Sequence, residues 1–429
     1  MVEVITLGHM LAGRRSVLFA RRPASTRLLQ LVCLLAAGCA GSPRGESPDL
    51  DRFHWPVHVA ASQDGHTVFV VSSNFDAAYR GGTVIPVDVT KVSGKTTPVP
   101  LADCAVPGGG AVIGSFGGVL KLLRLASTTV GYVAIREGDL LQWFTVEDGP
   151  DGQRVSCSAD GRQWCDSEHE TRLEWKEPGG RTLTVQDPYA VEVGMGLGSP
   201  LVYVGGIKNG GLMALTVGDD GRPTVAAGVV LQSGIHSIVE GPAVEGRRIV
   251  YASNRFRNAI HVVTVQQAGA LTLDVHDPVV ISQVSSTGDY WRGMAISPDG
   301  RRLYAALRSP PSLAVFDIAP ATGSLSLRGL VPLSGGPAEV AVVPGSTAGD
   351  DTVYVTDFTQ DSLYTVDVLT LSVRGRIVVG DGPYGIAVTE ADQGVGRRAF
   401  VALFEEAALS VVDLDPASKT YHTEIAKIK

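Results

Sequence analysis

A histidine and an arginine hold matching places in two neighbouring copies of a repeated passage. His236 follows the lead residue Ile235, and Arg292 follows the lead residue Trp291. In the other copies that place holds Val57, Gly108, Tyr189, Ala338 and Tyr384. An imidazole can activate water, and a guanidinium can hold a developing oxyanion or a substrate carboxylate. Hydrolysis of an acyl bond can draw on such a pair, a base for the water and a cation for the oxyanion. Glu240 and Glu339 are the carboxylates placed to orient the imidazole. A second recurring set is Asn74, Arg136, Glu137, Lys208, Asn254, Arg255, Arg308, Asp357 and Glu405. His236, Arg292, Tyr189 and Tyr384 are expected to converge on one channel, with Asn254, Arg255, Arg308 and Asp357 around its rim. The plainer expectation is a narrow channel lined with polar groups that hold water.

Convergence requires repeats arranged about an axis. The last three copies lead with Trp291, Pro337 and Pro383, spaced 46 residues apart, and earlier copies lead with Pro56, Pro107, Pro188 and Ile235. Within the copy from Pro337, short β-branched runs such as Thr352 to Thr356 alternate with polar turns such as FTQDS. Such runs, bounded by Gly, Asp and Ser, are the signature of strands. Each copy reads as a four-stranded antiparallel meander with two apolar faces, so neighbouring sheets must cover one another around an axis. A second register agrees: the second-strand aromatics are Phe69, Tyr132, Tyr203, Tyr251, Tyr304, Tyr354 and Phe400. The fold expected over residues 53–429 is therefore all-β, a seven-bladed β-propeller of four-stranded antiparallel blades. Third-strand acids at Asp88, Asp317, Asp367 and Asp413 read as turn residues rather than metal ligands.

Several copies resemble a known repeat. Tyr354-Val355-Thr356-Asp357 resembles the tetrad of the YVTN β-propeller repeats, as do the leads GDGPYGIAV (Gly380 to Val388) and SPDGRRLYAA (Ser297 to Ala306). YASNRFRNAIHVVTV (Tyr251 to Val265) and SPPSLAVFDIAPATGSLSL (Ser309 to Leu327) resemble the lactonase branch of those propellers. The resemblance covers residues 235–429. It implies the propeller fold and, as one activity, lactone hydrolysis. Propellers also host unrelated functions.

The first 38 residues read as a lipoprotein signal peptide. Arg14, Arg15, Arg21, Arg22 and Arg27 precede an apolar stretch that ends in Leu35-Ala36-Ala37-Gly38-Cys39. That ending resembles a bacterial lipobox, which implies lipidation of Cys39, with residues 39–52 as a flexible tether. An ordinary signal with an incidental Cys is the alternative. The expected location is the bacterial cell envelope, on the outer membrane and facing the periplasm or the exterior. The whole chain carries a net charge of −8, and loss of residues 1–38 leaves −12. An acidic chain without a basic block argues against nucleic acid, and any membrane contact is expected through the anchor alone. Residues 149–180 read as a polar hairpin insertion in blade two, either lying on the propeller or acting as a lid over one face. Within it, Cys157 and Cys165 flank a turn at Asp160-Gly161 and are candidates for a disulfide, with Cys104 as the other possible partner. No metal and no cofactor is expected. G-x-S-x-G, Walker, H-E-x-x-H and C-x-x-C-H motifs are all absent.

Two functions fit these residues. The first is a binding or scaffold module for an envelope protein, peptide or glycan. The alternative is a lactonase-like hydrolase acting in the central channel through His236 and Arg292. Ring closure has two expected forms: four native strands in the last blade, or a clasp by Asp51 to Trp55. Blade two is least defined, because Gly114 to Thr129 has no assigned strand.

Overall fold

The β-branched and aromatic runs form strands because each can bury both faces between neighbouring sheets. Thr352–Asp357 (TVYVTD) is buried along almost its whole length. The computed structural model describes residues 45–92, 98–194, 198–284, 290–345, 349–390 and 396–429. The signal, the lipidation at Cys39 and the first part of the tether, residues 39–44, lie outside the described residues.

Among the described residues, seven antiparallel sheets of four or more strands follow one another along the chain, each ordered from its first strand outward, and a two-stranded ribbon of Glu174–Lys176 and Thr182–Thr184 falls between the second and third. Their innermost strands are Pro56–Ala61, Gly117–Arg124, Pro188–Gly194, Ile235–Val244, Trp291–Ile296, Pro337–Val343 and Pro383–Thr389. We number the blades one to seven in that order. Seven apolar clusters lie between them, each shared by two adjoining blades, and one joins blade seven to blade one. This is the seven-bladed β-propeller expected from the repeats.

The second-strand aromatics are the centres of those clusters, and all seven are buried. Five are tyrosines whose hydroxyls reach the next blade. Tyr132 donates to the Gly221 carbonyl at 2.7 Å, Tyr251 to the Gly323 carbonyl at 2.6 Å and Tyr304 to Asp351 Oδ2 at 2.9 Å. Tyr203 donates to Glu240 Oε2 at 2.7 Å, and Tyr354 lies 2.9 Å from His422 Nε2. A buried phenol needs such a partner, so one residue both fills the inter-blade core and sets the blade spacing. Three of the four third-strand acids behave as turn residues, while Asp317 pairs with Arg328 at 3.5 Å and Arg302 at 3.9 Å. Asp88 accepts from the Thr90 N–H, Asp367 from the Leu369 and Thr370 N–H groups, and Asp413 from the Asp415 N–H.

Blade two differs from the sequence expectation. Pro107 and Gly108 do not lead it: Gly108 sits in a left-handed turn with φ of 62°. Ala111–Ile113 is instead the fourth strand of blade one, paired with Gly82–Val84. Blade two begins at Gly117, so Gly118 takes the channel position assigned to Gly108. A Cβ on Gly118 would come within 2.9 Å of the Tyr189 carbonyl oxygen, which explains a glycine where other blades carry side chains.

The insertion is a broken outer strand, not a lid. Gly152–Ser156 pairs with Glu147 and its neighbours on the third strand of blade two, and Glu170–Arg172 pairs with Leu140–Gln142 at its other end. The intervening loop carries the Cys157–Cys165 disulfide and joins blade one's outer edge, where the Val112 N–H donates to Gln163 O at 2.6 Å. A strand edge with free amides favours such an addition over a loop standing above the channel.

The ring closes without strand exchange. Blade seven contains its own four strands, ending with Glu424–Ile428. A segment from blade one then seals its outer edge: the Val99 N–H donates to Lys427 O at 2.7 Å and the Lys429 N–H to Val99 O at 3.0 Å. The expected clasp by Asp51 to Trp55 does not form.

Candidate functional site in the axial channel

Every innermost strand is irregular just after its lead residue. The ladder to the second strand shifts after Pro56, Gly117, Pro188, Ile235, Trp291, Pro337 and Pro383. A bulge leaves a residue out of the ladder and re-aims its side chain. Here the first residue out of the ladder is Val57, Gly118, Tyr189, His236, Arg292, Ala338 or Tyr384, and in blades two, five, six and seven the next residue is out as well. Sevenfold repetition of one local defect thus builds the channel wall.

His236 Nε2 lies 3.2 Å from the Tyr384 hydroxyl, and its ring lies against Tyr189, tilted by 36° with centroids 4.7 Å apart. Burial first, then the positive field of Arg292, Arg255, Arg308 and Arg136, hold His236 well below its ordinary pKa. The imidazole is therefore neutral at pH 7. Its Nδ1 is buried without a hydrogen-bond partner. Burial, followed by the adjacent Tyr384, pushes the Tyr189 phenol well above its usual range.

Above this cluster the channel opens into a cavity of about 210 Å³. At ~30 Å³ per water in the liquid, that is room for a small metabolite rather than a folded partner. Arg136, Arg255, Arg292 and Arg308 line it together with Tyr189 and Tyr384. Among the described residues no carboxylate does. Arg136 is braced by Asp187, which its Nε and Nη2 both contact. Arg308 Nε donates to the Pro337 carbonyl at 3.2 Å. Arg255 Nε is buried and has no hydrogen-bond partner. Arg292 is 1% exposed and its Nη1 donates to the Trp291 carbonyl at 3.3 Å.

Of the sequence candidates, Tyr189, Arg255, Arg292, Arg308 and Tyr384 meet around one cavity, and His236 stands directly behind Tyr384. Asn254 and Asp357 do not join them. Asn254 Oδ1 accepts the backbone N–H groups of Phe256 and Arg257, and its Nδ2 donates to Gln232 O. Asp357 Oδ1 accepts from the Gly336, Thr359 and Gln360 N–H groups. Short polar side chains at strand ends satisfy their own turns first. Glu240 does not orient His236 either; it is held by Tyr203 and by Arg248 at 3.5 Å.

Sequence reasoning missed the aromatic side of the mouth. Phe75, Phe358 and Phe404 line the cavity and touch one another or Tyr384. The signal was available, since Phe75 and Phe358 directly follow the recurring rim residues Asn74 and Asp357.

Glu339 belongs to a second cavity of about 260 Å³ further along the channel, with His58 and Lys121. Lys121 pairs with Glu192 at 2.8 Å. The Leu120 N–H donates to His58 Nδ1, and burial holds that ring's pKa down at about 3. Burial raises Glu339 from 4.5 to about 7, against the opposing pull of Lys121, Arg292 and Arg308. The folded chain thus binds this proton more tightly than the unfolded chain does. The resulting stabilisation is complete below the ordinary carboxyl pKa and is lost as pH rises from 4.5 through about 7. Glu339→Gln is expected to flatten that loss. At pH 8 the variant should be more stable than the parent by about 1–2 kcal/mol, a figure discounted for channel water. Urea melts at pH 5 and pH 8 measure it, and an unchanged pH slope would contradict the assignment. Among the described residues no cluster of three or more His, Cys, Asp or Glu is placed to hold a metal.

Residues 243–342 match the family model described as Lactonase, 7-bladed beta-propeller. No curated protein matches the sequence. Among solved structures, a putative 6-phosphogluconolactonase from Bacteroides uniformis is similar at a TM-score of 0.53 and 14% identity, over 76% of this chain and 86% of that one. A periplasmic gluconolactonase from Pseudomonas aeruginosa is similar at 0.51 and 16% identity, over 81% and 88%. The hydrazine synthase of Kuenenia stuttgartiensis is similar at 0.56 and 14% identity, over 89% and 99%. At such identities the likeness concerns the fold alone. With its closed ring of seven four-stranded blades, the chain is a seven-bladed β-propeller, and its residues 243–342 are similar to the lactonase family of such propellers.

Proposed function

We propose that the chain is a lactonase-like hydrolase that acts in the axial cavity on a lactone bearing an anionic group. The observation that carries this reading is the guanidinium lining of a metabolite-sized cavity, in which Arg255 Nε is buried and unsatisfied. A buried donor of that kind is costly until an anion fills it. In this reading Arg255 and Arg136 hold the substrate's anionic group, and Arg292 faces the oxyanion that forms when water adds to the carbonyl. Tyr384 accepts a proton from the attacking water while passing its own to neutral His236. The same pair returns a proton to the ring oxygen as the acyl C–O bond breaks.

The test is steady-state turnover on neutral lactones and on lactones carrying a carboxylate or phosphate. The anionic set should be preferred at least about tenfold. Arg255→Ala should raise KM about 10–100-fold, the range for one hydrogen bond to a charged group. A wild-type protein that turns over nothing in this panel sinks the catalytic reading. One observation favours a second reading, binding without catalysis: no described carboxylate orients His236, whose Nδ1 has no partner. Saturable binding of the anionic lactones with no hydrolysis would select it.

A further inference from the structure

The mouth of the cavity is divided into two halves. Blades six, seven and one, contiguous through the ring closure, supply Phe358, Phe404 and Phe75. Trp55 backs this wall, 5.0 Å from Phe404 and 6.1 Å from Phe75 between ring centroids. Phe75 is 53% exposed, although it is a large apolar side chain at the edge of a pocket. Blades two, four and five supply Arg136, Arg255, Arg292 and Arg308. A ligand spanning the mouth therefore meets mainly rings on one side and, around Ile207, guanidinium groups on the other, with Arg308 meeting the Phe358 ring at 6.0 Å where the two sides join.

The hydrogen-bonding inventory narrows the ligand further. The polar lining side chains are the four arginines and three hydroxyls, from Ser73, Tyr189 and Tyr384. Arginine only donates. Among the described residues no Asp, Glu, Asn, Gln or His side chain lines the cavity. A polyhydroxylated sugar acid would bring several O–H donors to a surface poor in side-chain acceptors, and each donor left unpaired weakens binding. A flat or acyl body brings none, and gains by covering the aromatic wall.

We propose that the cavity selects an amphipathic anion, an aryl or acyl body joined to one carboxylate or phosphate, rather than a polyol acid. This rests on reading the cavity as an anion site and deepens it by naming the substrate class: a lactone with an apolar ring or chain beside its charge. The exposed Phe75 marks where that body leaves the cavity.

The experiment is calorimetric titration of the full chain with 3-phenylpropanoate, octanoate and gluconate, using wild type, Phe75→Ala, Phe404→Ala and Arg255→Ala. The apolar-bodied acids should bind at least tenfold more tightly than gluconate. Each Phe variant should weaken phenylpropanoate about tenfold and leave gluconate unchanged, and Arg255→Ala should weaken all three. Because Phe75 is half exposed, its variant tests the idea even if Phe404→Ala unfolds, which thermal melts will reveal. Gluconate binding as tightly as phenylpropanoate overturns the inference and leaves the anion site standing. So does loss of binding in Arg255→Ala alone. Failure of all three acids to bind overturns the anion site and this inference together.

Discussion

Arg292→Ala is expected to lower kcat on an anionic lactone by about 10²–10³-fold, the usual effect of removing one oxyanion donor, with a much smaller change in KM. Arg292 lies deeper than Arg255, on the innermost strand and fully buried beside the His236 cluster. It is placed for the reacting carbonyl, whereas Arg255 is placed for a remote charge. The two variants should therefore separate, one in kcat and the other in KM. Arg292→Lys should recover little, because an ammonium cannot reproduce the planar fork of donors. His236→Ala should act through Tyr384 and cost less than Arg292→Ala. Steady-state kinetics on variants shown by circular dichroism to be folded provide the check. A folded Arg292→Ala enzyme with unchanged kcat would remove Arg292 from the mechanism.

Tyr251→Ala should destabilise the ring by about 3–5 kcal/mol, the range for deleting a large buried aromatic. The ring is fully buried in the cluster between blades four and five, and its hydroxyl ties blade four to Gly323 of blade five. Tyr251→Phe removes only that tie and should cost about 1 kcal/mol, or somewhat more because the Gly323 carbonyl is left unpaired. Urea denaturation followed by fluorescence separates the two. Equal losses in both variants would mean that the hydroxyl, not the buried ring, holds the blades together.

Much of the site was legible because one local event repeats. Each first strand breaks its ladder at the same place, so spacing alone put Tyr189, His236, Arg292 and Tyr384 on a common wall. Blade two escaped that reading. Its channel residue is Gly118, and glycine leaves no side-chain signature in a register built on prolines and aromatics. Asn254 and Asp357 occupied the expected rim positions, yet their oxygens went to nearby backbone amides. A sequence lists donors and acceptors without saying which pair first. The insertion was visible as extra length, but its pairing with Val112 of blade one depended on an edge that exists only after blade one has folded.

The chain's β-branched runs, turns and sevenfold period were enough to dictate a ring, since sheets with two apolar faces have few other ways to leave water. What the folded ring alone decided is which side chains share the hub. Trp55, Phe75, Phe358 and Phe404 are scattered over some 350 positions, and closure of blade seven onto blade one brings them into one wall. Opposite them, guanidinium groups from blades two, four and five crowd a neutral histidine. Both effects are long-range. Local sequence encodes strands and turns, whereas burial and electrostatic field depend on which blades face one another across the axis.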